Sequence, residues 1–145
     1  MSRTLIEAAR DAARHAHAPY SKFGVGAALL LDNGDVVTGC NLENASYGVT
    51  LCAEAVALGT LNSQGLTGKL REVAVVGGLL DLQGIKGSAP VRPCGRCRQM
   101  LVEAGQRAGI DLVIHCASAD LSAIETHKLS ELVPLPFGPA DLGFA

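Results

Sequence analysis

The chain has 145 residues, a net charge of -2 and 48% hydrophobic residues, with twelve Lys and Arg against fourteen Asp and Glu. That balance supplies no basic surface for duplex nucleic acid or anionic lipid, and two Tyr, three Phe and no Trp leave too few rings for a nucleic-acid stacking face. The length suits one domain over residues 1–145, and the longest uncharged apolar stretch, Val73 to Leu80, is far short of the roughly 20 residues that span a bilayer.

Leu5, Ile6, Ala9, Ala12, Ala13 and Ala16 share one face of a first helix, with Thr4 and Glu7 at the spacing of a capping box and Pro19 as its stop. Gly24 to Leu31 and Asp35 to Asn41, joined through Asn33-Gly34, read as a β-hairpin, since Asn-Gly supplies the positive backbone angles of tight turns. Cys52 to Asn62 is apolar almost all round and predicts a buried helix. Glu72 to Leu79 predicts a strand covered on both faces, followed by a loop through Gly84, Gly87 and Pro90. Gly95 to Arg107 predicts a one-sided helix ended by Gly109. Asp111 to Cys116 predicts a second buried strand, and a weaker strand near Leu121 to Glu125 precedes a short helix stopped by Pro134. Helix, hairpin, helix, strand, helix, strand implies an α/β mixed sheet with helices on its faces.

Five cysteines are an odd number, and the amphipathic start MSRTLIEAARDAAR lacks the charged-then-apolar order of a secretory leader. Both predict a cytoplasmic, thiol-keeping compartment, where clustered cysteines bind metal or do chemistry rather than form disulfides. Two fragments stand at predicted helix starts: Cys52-Ala53-Glu54 and Pro93-Cys94-Gly95-Arg96-Cys97. Free backbone N–H groups and the positive end of the helix dipole favour thiolates there. Cys94 and Cys97 lie on one helical face, whereas Cys52 and Glu54 would diverge by about 200° on a helix wall. At a helix end that objection weakens, because first-turn side chains lean toward the N-terminus. Three thiolates with an open fourth position are the donor set of a catalytic zinc, and Glu54 is then the unligated carboxylate that moves protons.

These residues match the established zinc-deaminase signature, Cys or His followed two residues on by Glu and later by Pro-Cys-x-x-Cys. The chain resembles the small homotetrameric cytidine deaminases. The resemblance implies a three-layer α/β/α fold around a mixed, about five-stranded sheet, with zinc bound by Cys52, Cys94 and Cys97, Glu54 as the catalytic group and a small nucleoside as substrate. Pro19-Tyr20-Ser21-Lys22-Phe23 resembles the family's pocket entry and Thr38 to Gly48 its ribose-binding segment. By that likeness Phe23 flanks the pyrimidine, Asn41 and Glu43 bond the sugar hydroxyls, and Ala53 offers backbone groups to the base. Phe137 and Tyr47 then reach across subunits, so that a homotetramer completes each site. The chain departs from many small family members in having Ala55 where an Arg follows the catalytic Glu and offsets thiolate charge. Arg96 or Arg98 is expected to supply that charge.

Other readings compete. The same two fragments also resemble blasticidin-S deaminases. Cys40 with Cys52, Cys94 and Cys97 would make a four-thiolate structural zinc site, and Pro-Cys-Gly-Arg-Cys at a helix start would make a thioredoxin-like dithiol. Cys40 and Cys116 otherwise read as small core residues, Arg92 as part of a solvated helix start, and His15, His17, His115 and His127 as solvated or core residues without ligand spacing. The Gly24-Val25-Gly26 and Gly77-Gly78 stretches lack a phosphate-loop pattern and read as sites of close packing.

Overall fold

A computed structural model describes residues 2–144. In chain order its elements are α1 (Ser2–Ala13), β1 (Phe23–Leu31), β2 (Val36–Cys40), α2 (Ala53–Ser63), β3 (Leu70–Asp81), β4 (Gly84–Lys86), α3 (Gly95–Ala108), β5 (Val113–Ser118), β6 (Ile124–Lys128) and α4 (Leu129–Leu132). The sheet order is β2-β1-β3-β5-β6, with β4 paired to the end of β3. Only β3 and β5 run parallel; the other neighbours are antiparallel. The sheet therefore has six strands rather than five, because the predicted loop at Gly84 folds back as a three-residue strand against Leu79 to Asp81.

Period-two alternation along the central strand builds two cores. Val73 and Val75 of β3 pack with Leu29, Ala57, Leu61, Leu101 and Ile114 under α2 and α3. Ala74 and Val76 pack with Ala28, Ala117, Leu5, Ile6 and Ala9 under α1. The α1 face uses alanines, and at Gly26 a Cβ would sit 1.8 Å from the Ala9 carbonyl oxygen, so α1 rests directly on the β1 backbone. Close backbone approach replaces bulky side chains here, which is how a chain with so few rings fills its interior.

Three sequence expectations shift. Helix α1 already runs from Ser2, which puts Thr4 inside the helix rather than at its cap, and it ends at Ala13. In the hairpin only Gly34 takes a positive φ, 93°, while Asn33 stays out of that region and its side-chain oxygen accepts the Asp35 N–H at 3.0 Å. The last strand begins at Ile124, not Leu121. Asp120 accepts from the Ser118 and Ser122 hydroxyls and the Ser122 N–H, and Leu121 turns through φ 62°, so those residues are a turn. Helix α3 ends as expected at Gly109, whose φ of 72° closes a left-handed cap with Ile110 N–H bonded to the Gly105 carbonyl. Among the described residues no helix is long and apolar enough to cross a membrane.

Candidate active site

Helices α2 and α3 cover the same sheet face, and their first turns meet. Cys52 is the N-cap residue of α2 and Cys94 that of α3, both in extended backbone conformation. Neither thiol makes a side-chain capping hydrogen bond, so both sulfurs are left facing the space just beyond the helix ends. Because Cys52 precedes the helix, the angular divergence from Glu54 disappears. Cys97, on the first turn of α3, is buried, as is Glu54 on the first turn of α2.

The sulfurs of Cys52, Cys94 and Cys97 lie within 4.8 Å of one another, the first two 3.9 Å apart. A tetrahedral centre with about 2.3 Å metal–sulfur bonds needs sulfurs roughly 3.8 Å apart, so the spacing fits a zinc ion. The electrostatics fit as well. Burial pushes the Cys97 thiol up, reinforced by the charges of Glu54 and Cys52. Burial also raises Cys52, partly opposed by a hydrogen bond from Cys97. At Cys94 burial is outweighed by the backbone N–H groups of Cys97 and Arg96 and by the two neighbouring thiols, and its pKa falls. Burial raises the Glu54 carboxyl, with its own backbone N–H and the Cys97 thiol pulling back. Crowded sulfurs beside a buried carboxyl repel when ionised, and a divalent cation relieves that repulsion.

Cys40 and Cys116 lie outside this group: Cys40 is half-buried at the end of β2 and Cys116 is buried in the core. The four-thiolate reading therefore fails. Arg98 donates to the Pro93 carbonyl at 2.8 Å and the Leu132 carbonyl at 3.2 Å, bracing the loop before Cys94. Arg96 is exposed. Arg92, read from sequence as solvated, is exposed; it stands at the edge of the cleft beside Cys94 and forms a two-point pair with Glu125 at 2.9 and 2.6 Å. No sequence signal pointed to that partner, which lies on β6.

The cysteine cluster opens into a cleft of about 180 Å³ walled by Val25, Asn41, Thr50, Leu51, Ala53, Glu54 and Arg92. Thr50 joins it to a hollow formed with Tyr20, Ser21, Glu43 and Tyr47. Asn41 accepts the Val25 N–H at 2.8 Å and donates to the Phe23 carbonyl at 2.9 Å, which ties the start of β1 to the cleft wall. Phe23 is half-buried, two residues before Val25 on the same strand face. Tyr47 is 72% exposed, its ring 5.5 Å from that of Tyr20. Phe137 is not brought to this cleft. It is exposed on the flank of α3, beside Gln99, Gln106 and Phe144. Ser21 and Thr50 are wall residues that sequence reasoning did not single out; their signal was only adjacency to the quoted motifs.

A family model described as the cytidine and deoxycytidylate deaminase zinc-binding region matches residues 1–113. The chain is 46% identical over 134 residues to a cytidine deaminase of Mycobacterium tuberculosis, covering 92% of this chain and 87% of that protein. It is 39% identical over 138 residues to a cytidine deaminase of Halalkalibacterium halodurans, covering 95% of each. The fold matches a crystal structure of cytidine deaminase from Burkholderia pseudomallei with a TM-score of 0.81 at 37% identity, over 94% of this chain and 99% of that one.

Proposed function

The chain belongs to the cytidine and deoxycytidylate deaminase family, and from that premise we propose how its own residues carry out the reaction. The protein is a zinc-dependent hydrolase that converts cytidine and 2′-deoxycytidine to the corresponding uridines with release of ammonia. The relatives do not favour the antibiotic-deaminase alternative.

Cys52, Cys94 and Cys97 hold the metal, and one observation carries the reading: their sulfurs cluster within 4.8 Å beside a carboxyl, Glu54, that is 3% exposed. Zinc held there supplies a Lewis acid that brings the pKa of a water toward neutrality. Glu54 moves the protons. Its carboxylate carries one from the water to ring N3, and later carries the proton of the new C4 hydroxyl to the departing amino group. The raised pKa that burial gives Glu54 suits a group that must both take and return a proton near neutral pH.

Ala53, at the start of α2, offers backbone groups to the base, Phe23 flanks the pyrimidine, and Asn41 and Glu43 bond the sugar. Tyr47 and Phe137 act in the clefts of neighbouring copies, so a homotetramer is the active form. Their exposure, 72% and 61%, together with Leu135 at 93%, supports surfaces that are covered on assembly. The whole chain serves as one catalytic domain. Five free cysteines support a cytoplasmic setting, and the reaction supports a role in pyrimidine salvage.

The test is the fall in ultraviolet absorbance when purified protein meets cytidine, with and without a chelator. Glu54→Gln is expected to keep stoichiometric zinc and lose about 10²- to 10⁴-fold in kcat, the usual worth of a positioned acid–base group. Near wild-type turnover in that variant overturns the assignment.

A further inference from the structure

One side chain joins the two ends of the sugar-side hollow. The Ser21 hydroxyl donates to Glu43 Oε2 and accepts the Phe23 backbone N–H at 3.1 Å. The other carboxylate oxygen, Oε1, accepts the N–H groups of Tyr20 and Ser21, each at 3.1 Å. A carboxylate offers about two acceptor positions on each oxygen. Two N–H donors therefore occupy Oε1, and Oε2 alone keeps an open position for a further donor.

We infer that Ser21 is a positioning residue for sugar recognition, aiming the open acceptor site of Glu43 Oε2 into the hollow shared with Tyr20, Tyr47 and Thr50. The inference rests on the reading of Glu43 as the acceptor for a sugar hydroxyl. Ser21 also fixes that carboxylate relative to Phe23, so the group facing the sugar and the ring facing the base are set by one hydroxyl. Lys22, between them, turns through φ 59° and bonds its N–H to Ala18 and its carbonyl to Leu80, which holds the loop in place without the serine side chain. Loss of the hydroxyl then frees the carboxylate torsion rather than the loop. The Ser21 bond is also the leading reason the Glu43 carboxyl lies below its ordinary pKa, which keeps it an ionised acceptor.

The experiment compares cytidine with 2′,3′-dideoxycytidine, which lacks both ring hydroxyls of the sugar, using zinc-loaded full-chain protein. Ser21→Ala is expected to raise KM for cytidine about tenfold, with a change in kcat of less than about twofold and a much smaller KM change for the dideoxynucleoside. Ser21→Thr, which keeps the hydroxyl, restores the cytidine value. Glu43→Gln discriminates between the two nucleosides in the same direction. If Glu43→Gln is selective for cytidine but Ser21→Ala raises KM equally for both nucleosides or for neither, Ser21 does not act through Glu43 and the inference is wrong. If Glu43→Gln itself affects both equally, the sugar reading of Glu43 fails and the Ser21 assignment falls with it.

Discussion

Gly39→Ala tests whether the metal geometry depends on how closely α2 lies on the sheet. A Cβ at Gly39 would be 2.6 Å from the backbone nitrogen of Ala57 and 2.8 Å from the carbonyl oxygen of Ala53. Both are helix backbone atoms and have no rotamer to escape into. Ordinary contact starts near 3.4 Å, so α2 must retreat by about 0.8 Å. Overpacking of that kind costs about 1–3 kcal/mol, which for a chain of this length lowers the melting temperature by roughly 3–10 °C. The retreat carries Cys52 and Glu54 away from α3, where Cys94 and Cys97 are anchored. The 3.9 Å between the Cys52 and Cys94 sulfurs is within about 0.2 Å of what zinc needs, so little play is available. A misplacement near 1 Å costs about 10²-fold in rate. The assay is a thermal melt, zinc content after gel filtration and turnover of cytidine, measured beside Gly59→Ala. Gly59 lies within α2, and a Cβ added there would meet no atom within 4 Å, so its replacement should stabilise the helix by about 0.5–1 kcal/mol. If Gly39→Ala melts with wild type and keeps full zinc and full activity, the close approach of α2 does not govern the site.

Three further outcomes follow from the same geometry. Chelation should lower the melting temperature and abolish turnover, with both restored by zinc; because burial holds the Cys52 and Cys97 thiols protonated in its absence, the apparent zinc affinity should fall as pH drops from about 7.5 to 5.5. Cys40→Ser should retain one zinc per chain while Cys94→Ser loses it, and zinc loss in the Cys40 variant would revive a four-thiolate site. Hydrogen bonds from Arg92 and then His127 depress Glu125 to about 2 from an ordinary 4.5. Since the folded value is the lower one, the pair's stabilisation is fully present above about 4.5 and is lost as pH falls toward 2. Carboxyl NMR should place the Glu125 midpoint near 2 in the wild type and higher in Arg92→Met, still below the ordinary 4.5 because the His127 bond remains; a wild-type midpoint at the ordinary value would refute the clamp.

The parts of this protein that were legible in sequence are those governed by short-range physics. Cys52 and Cys94 could be placed at helix starts because a run apolar almost all round begins at Cys52 and a one-sided apolar pattern ended by Gly109 begins after Cys94. Gly34 and Gly109 marked their turns for the same reason, since only glycine takes those angles without cost. Strand β4 was not legible: its three residues carry no periodicity, and they are extended only because β3 presents an open edge to them. The start of β6 was misplaced because the apolar Leu121 looks like a strand residue, while the Asp120 carboxylate commits that stretch to a turn.

Residue type and spacing along a few turns of chain were enough to name the candidate thiols, the carboxylate beside them and the alternation of helices and strands. Packing of the layers was needed to select which of the five cysteines converge and to keep Cys40 apart. Packing also turns the Arg98 guanidinium onto the Pro93 and Leu132 carbonyls, and it binds Arg92 to Glu125 thirty-three residues away. Those outcomes rest on distances between segments far apart in the chain, set by how closely α1 and α2 can approach a sheet whose facing positions are glycine and alanine. No local pattern of residues encodes such a distance until the layers are packed.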